Sequence, residues 1–382
     1  MKIRQSVVAN HIRNRFTRPV NAASVQGGDV NIYTPQSTAR PVVKRMPVTT
    51  FLRDTFFPGF QTFPTKHVLM DFYKNRQKVA PFVAEGSRPV NVRREGYQTK
   101  IYEAPFINLS RPFDVSHLQT RLPGESVFDS GITPADRALA IMQNDYNELD
   151  DMVVRREELM IAELLQSGVV TVTGYVDDSA TQVRTDTIDF GFENEIDLTG
   201  SQQWNQSGAD PYADLEAAAN LVRQGGYNPE VVVLGEEAAR WLLQNEKILK
   251  LLDVRNAFLG EINPQLNLQN GNGYAYLGRL AGLGLDLYQY LAWYYDETTD
   301  TLKPYIEPNK VIIGARDLGE MLYGAITMIP EDSINFVTIE APRAAKVTVN
   351  RETDTKSLIL KSRPVPKPFD LASWAVINTI EE

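Results

Sequence analysis

Cysteine is absent from this sequence of 382 residues, so disulfides, thiolate zinc sites and cysteine nucleophiles are excluded. Histidine is scarce. His11, His67 and His117 are too few and too scattered for a metal cluster, and core or surface roles account for them. No apolar run approaches the roughly 20 residues of a spanning helix, and the N-terminus lacks a signal-like apolar stretch. A cytoplasm-like compartment is the expectation. Neither a GxSxG elbow nor an HExxH helix occurs. Gly278 to Gly284 (GRLAGLG) superficially resembles a nucleotide loop, but it lacks a lysine followed by Ser or Thr and has no clear helix after it. The acid pairs Asp150-Asp151 and Asp177-Asp178 have helical or flexible surroundings that suit a solvated face. These absences leave only a triad assembled from distant residues as a catalytic route.

What is present is an ordinary composition, 43% hydrophobic and 23% charged, in a chain long enough for two or three domains. The charge is unevenly placed. Up to Arg45 there are eight basic residues (Lys2, Arg4, Arg13, Arg15, Arg18, Arg40, Lys44 and Arg45) against Asp29 alone. That is +7, which leaves −16 for the rest of a chain whose net charge is −9. An acidic body with a basic arm can bind its own neighbours or reach toward nucleic acid.

The longest periodic stretch runs from Thr133 to Gly168. Thr133 offers an N-cap oxygen, Pro134 suits a first helical position, and Asp136 can answer free backbone N–H groups. The spacing predicts a helix over 134–167. Leu139, Met142, Tyr146, Leu149, Val153 and Met160 form one apolar stripe, continued by Leu164, and Gly168 closes the helix. Asp136, Arg137, Asp145, Glu148, Asp151, Arg155 and Glu158 are assigned to the opposite face, so the helix is expected to pack on one side only. At 1.5 Å per residue it spans roughly 50 Å, too long for a small globule to hide. A long surface helix in any α/β protein is the plainer alternative.

Residues 1–46 are rich in turn chemistry and read as an extended arm, ordered on a partner or else a disordered tail. Pro47 to Pro64 holds five phenylalanines, and Lys66 to Tyr73 alternates as a core strand. Val90 and Val92, the Glu95-Gly96 turn, and Tyr97, Thr99 and Ile101 read as a projecting hairpin carrying Arg88, Arg93, Arg94 and Lys100. A two-stranded ribbon is marginal alone in water, so contact with another subunit is expected to support it. Val169 to Thr173 and Gln182 to Phe192 follow as strands, and a polar linker at Thr199 to Asp210 marks a domain boundary. A helix with Leu215, Ala218, Ala219 and Val222, the strand Val231 to Leu234, and a helix over Glu236 to Asp253 then indicate an α/β domain. Glu261 to Tyr274 is an Asn/Gly-rich loop, an aromatic hairpin turns at Glu297 to Asp300, and Lys310 to Gly314 is a strand. The final β segments, Lys346 to Asn350, Ser357 to Lys361 and Trp374 to Thr379, are expected to return to the first domain.

In this order, the chain resembles the lambda-type major capsid proteins of tailed phages, the capsid protein E family with the Hong Kong ninety-seven phage-type fold. Ala140 to Gly168 is similar to that family's spine helix, with Thr171 to Gly174 as the strand after it. Val231 to Asp253, Tyr276 to Gly278, Leu285 to Tyr295 and Asn309 to Gly314 resemble its axial-domain strands and helix. The resemblance implies an α+β fold with an N-terminal arm at 1–46 and an extended loop at 79–113. It implies a peripheral domain in three pieces, 47–78, 114–208 and 331–382, and an inserted axial domain at 209–330. It implies a structural shell protein, not an enzyme, forming pentamers and hexamers of itself around double-stranded DNA, in the virion and in host cytoplasm during assembly. A separate scaffolding protein, a portal and a decoration protein are the further partners expected; no cofactor or metal is. Expected assembly residues are Arg88, Arg93, Arg94 and Lys100 in the extended loop, the spine stripe, Asn263, Asn267, Asn270 and Asn272 in the axial loop, and Arg13, Arg15 and Arg18 in the arm. An encapsulin-like compartment shell, a soluble α/β enzyme and a nucleic-acid-binding protein are the competing readings.

Overall fold

Val231–Leu234 (VVVL) is apolar at every position because it lies in a sheet covered on both faces. In the computed structural model, which describes residues 48–73, 80, 82, 88, 91, 97–114, 134–175, 183–245, 248, 273–297, 299–330 and 334–381, this strand sits inside a six-stranded sheet. The strand order is Glu195–Asp197, Trp374–Asn378, Lys310–Gly314, Val231–Leu234, Leu285–Tyr290 and Tyr274–Leu280. Side chains alternate between two cores, as the pleat requires. Val232, Leu234, Leu287, Val311, Ile313 and Ile377 face the helices Pro211–Gln224 and Glu236–Gln244. Val231, Val233, Ile312, Trp374 and Val376 face a second core, which also contains the last turns of the long helix.

That long helix occupies Pro134–Ser167, the predicted span. Gly168 ends it at φ +70°, where a Cβ would lie 2.1 Å from Phe192 Cβ, so only glycine fits. Trp374 Nε1 donates to the free Leu165 carbonyl at 3.1 Å, closing the helix end against the sheet. Its first half lies on a three-stranded sheet ordered Ala344–Asn350, Thr355–Ser362, Ile107–Phe113, where Leu149 and Val153 meet Leu358 and Leu360. Its second half is different. From Glu157 to Gln166 every residue is buried except Glu163, so the expectation of a helix packed on one side fails for this half, and Glu158 is not on a solvated face.

Three pairings were not specified by the sequence. Tyr97–Glu103 pairs antiparallel with His67–Tyr73 over seven matched residues, Tyr73 opposite Tyr97. Val90, Val92 and the Glu95-Gly96 turn of the expected hairpin lie outside the described residues. Gly319–Gly324 pairs with Gly59–Phe63 in parallel and with Pro364–Pro368 antiparallel. Trp374–Asn378 pairs with Lys310–Gly314. Strand pairing therefore runs across the expected boundary at 330/331, and all described residues fall in one contact unit, Lys44–Thr120 with Gly131–Glu382. The Phe-rich opening forms a short helix, Phe51–Phe56, that buries Leu52 and Phe56.

Candidate assembly surfaces and a buried charge cluster

The ribbon is held at its root by its own chain. Lys100 Nζ donates to the carbonyls of Asp189 and Phe190, each at 3.3 Å, and Tyr102 Oη donates to Asp189 O at 2.9 Å. Burial, then the Asp189 charge, pushes the Tyr102 hydroxyl up to about 12. Lys100, expected in the extended loop as an assembly residue, thus makes contacts within its own chain. Arg88 is exposed. Arg93, Arg94, the axial-loop residues Asn263, Asn267, Asn270 and Asn272, and the arm residues Arg13, Arg15 and Arg18 lie outside the described residues.

The spine stripe is buried over only part of its length. Leu149, Val153 and Met160 are core residues, and Met142 packs against Leu149's cluster, but Leu139 and Tyr146 are exposed. Here the helix is tethered to its supporting sheet by Arg111, which pairs with Asp145 at 3.2 Å and with Glu148.

Other exposed apolar surfaces were not singled out by the sequence. On the hairpin Trp293–Asp296 with Thr301–Pro304, Tyr295 lies opposite Leu302 and Trp293 opposite Pro304, so Trp293, Tyr295 and Leu302 form one exposed face. Beside the pair Ile326–Met328 and Val337–Ile339, Ile334 is 92% and Phe336 75% exposed. Large apolar side chains grouped in this way mark contact surfaces more often than scattered ones do.

Sequence reasoning also missed the charges inside the helix. Glu157, fully buried, accepts from Arg343 Nη1 at 2.7 Å, Arg53 Nη1 at 3.2 Å and Tyr323 Oη at 3.1 Å. Arg343 reaches on to Asp150 at 2.7 Å. Burial works against the Arg343 charge, but the hydrogen bond and charge of Glu157, with Asp150, outweigh it and raise its pKa. Glu158 accepts from Leu52 N at 2.8 Å, Arg53 N at 3.1 Å and Tyr290 Oη at 2.8 Å, tying the opening helix to the spine. Burial pushes its carboxyl up to about 7, against the opposing pull of those three hydrogen bonds. Gln166 completes the set, accepting from Glu307 N and donating to Tyr305 O. One signal was available: Glu157 stands four residues after Val153, on the apolar stripe itself.

A match to the family described as phage major capsid protein E runs over residues 37–376. The chain belongs to that family. Phage major capsid protein E is a family of structural capsid proteins, not enzymes. The P21 prophage-derived major head protein of Escherichia coli O6:H1 strain CFT073 and the major capsid protein of Enterobacteria phage P21 are each 23% identical to this chain over 173 residues. Those matches cover 44% of this chain and 48% of each relative, so the chain spans about half the length of the curated relatives it matches. A crystal structure whose description assigns it as a prophage capsid protein of E. coli CFT073 superposes with a TM-score of 0.60 at 18% identity, covering 88% of this chain and 93% of that one. The fold is accordingly the α+β tailed-phage capsid fold. Within this member of the phage major capsid protein E family, the buried carboxylates hold elements together: each oxygen of Glu157 and Glu158 is occupied by a donor of its own chain. Among the described residues, no group of three or more His, Asp or Glu is placed to hold a metal, and no helix is long and apolar enough to cross a membrane.

Proposed function

We propose that this chain is the major head protein of a tailed phage or prophage, assembling through pentamers and hexamers of itself into an icosahedral shell around double-stranded DNA. The family match over residues 37–376 carries this reading. The exposed faces at Trp293, Tyr295 and Leu302 and at Ile334 and Phe336 support it, because heterologous contacts repeated around closed symmetry would cover them in every copy. In this reading the expected axial domain, 209–330, meets its copies through the loop bearing Asn263, Asn267, Asn270 and Asn272. The peripheral pieces with the ribbon join neighbouring subunits, and the basic arm with Arg13, Arg15 and Arg18 serves a neighbour or the packaged DNA. A scaffolding protein, a portal and a decoration protein are its proposed partners, with assembly in host cytoplasm before the shell becomes part of the virion.

Electron microscopy of the purified full chain, with its scaffold if it needs one, is expected to show closed shells. A solitary subunit at all concentrations in sedimentation would end this reading. Reversing Arg88, Arg93 and Arg94 to glutamate is expected to raise the protein concentration at which shells form by about tenfold, since several weak ion pairs sum to about 1.4 kcal/mol. Subunit melting should stay unchanged; a drop in melting instead would make these arginines structural.

A further inference from the structure

At the root of the ribbon, a cleft of about 320 Å³ opens between the turn at Pro64 to Lys66, Phe106, and the pair Ile326–Met328 with Val337–Ile339. One wall is polar, with the Thr327 and Thr338 hydroxyls 3.0 Å apart. Its charge is cationic. Lys66 and Arg363 line it, and Phe106 is flanked by Arg363 Cζ at 4.9 Å and Lys361 Nζ at 5.8 Å from the ring centre. Against these stands Glu103, paired with Lys66 at 2.9 Å.

Two details mark the cluster as electrostatically unfinished. Arg363 Nε is buried without a hydrogen-bond partner, a cost native proteins rarely leave standing. Lys361 lies beside another cation: burial first, then the charge of Lys346, lowers its pKa. In the isolated chain Lys361 and Lys346 repel each other, and Glu103 is the carboxylate whose charge reaches Lys66 and Arg363.

We propose that this cleft receives an acidic side chain from a second copy of the chain. The inference rests on the shell reading above. Charge complementarity selects the occupant, because the chain beyond residue 45 carries −16 and every copy presents carboxylates to its neighbours. Size selects the mode: the volume admits one or two side chains and no folded element. Position agrees, since Ala325 to Thr327 and Thr338 bring the cleft to the strand pair beside which Ile334 and Phe336 stand exposed, an apolar core with a charged rim. Arriving there, a carboxylate accepts from the unpartnered Arg363 Nε and offsets the excess positive charge at Lys361.

Lys361→Glu tests the inference because the two readouts move apart. The substitution removes like-charge repulsion inside the subunit, so subunit melting should hold or rise. It meets an incoming carboxylate with a like charge, so the concentration needed for shell formation should rise about tenfold or more. Carbodiimide coupling of shells assembled from mixed light and nitrogen-15-labelled full chains, read by mass spectrometry, should give interchain amides from Lys66 or Lys361 to an Asp or Glu. Shells in which those lysines couple only within one chain overturn the inference and leave the shell reading intact. Lys361→Glu shells forming as readily as the parent do the same, as does protection of Lys361 confined to shells filled with DNA, which assigns the cleft to phosphate. A chain that forms no shells overturns both.

Discussion

Replacing Arg343 by alanine is expected to destabilise the subunit by about 3 to 5 kcal/mol, the scale for removing one partner of a buried ion pair. Glu157 would be left fully buried with Arg53 as its remaining cation, at 3.2 Å and itself partly exposed. The loss also frees Asp150 and removes the donor to Ser362 Oγ, so the spine helix and the strand Ala344–Asn350 lose their polar link together. Thermal or urea denaturation of the unassembled full chain measures it. Adding Glu157→Gln to Arg343→Ala should recover part of the loss, because a neutral amide is cheaper to bury than an unpaired carboxylate. If the double variant is as unstable as the two single losses added, the pair is not coupled and the account of the cluster fails.

The second expected result is a fall in subunit stability as pH rises from about 5 to about 8, traceable to Glu158. A carboxyl at about 7 when folded and 4.5 when unfolded holds its proton longer in the folded chain. Its contribution is therefore fully present below 4.5 and lost as pH climbs through about 7, roughly 3 kcal/mol across the window. The groups around it are Tyr290 and Tyr305, with Arg53 alongside, and the neighbouring Glu157 is bound to Arg343. Glu158→Gln should flatten this slope relative to the parent, whatever it does to stability at any single pH. Parallel pH profiles for the two proteins would show that the titrating group lies elsewhere.

Local signals survived well in this chain. The spine helix begins at Pro134 and ends at Ser167 because proline, the stripe and Gly168 are all short-range determinants. Val231–Leu234 and Lys310–Gly314 were bounded for the same reason, and so was the helix with Leu215, Ala218, Ala219 and Val222. Partner choice was not legible. The parallel pairing of Gly59–Phe63 with Gly319–Gly324 joins strands more than 250 residues apart in number, and alternation alone cannot say which alternating strand lies next to which. The second helix was expected over Glu236 to Asp253, but the described helix is Glu236–Gln244, with Ile248 also buried. Glu157 and Glu158 were hidden by chemistry: carboxylates read as surface until the arginine and the tyrosines that satisfy them arrive from far along the chain. Of the candidate assembly residues, the stripe from Leu149 onward is core, while Leu139 and Tyr146 are exposed.

The place of Trp374–Asn378 between Lys310–Gly314 and Glu195–Asp197 has a consequence for biosynthesis. Until residue 378 has left the ribosome, the nascent sheet has a gap where its second strand belongs, with the backbone edges of Lys310–Gly314 and Glu195–Asp197 awaiting it. Translation thereby acts as a timer. A half-made polypeptide therefore has no finished sheet, and its last strand can enter only between two strands already in place.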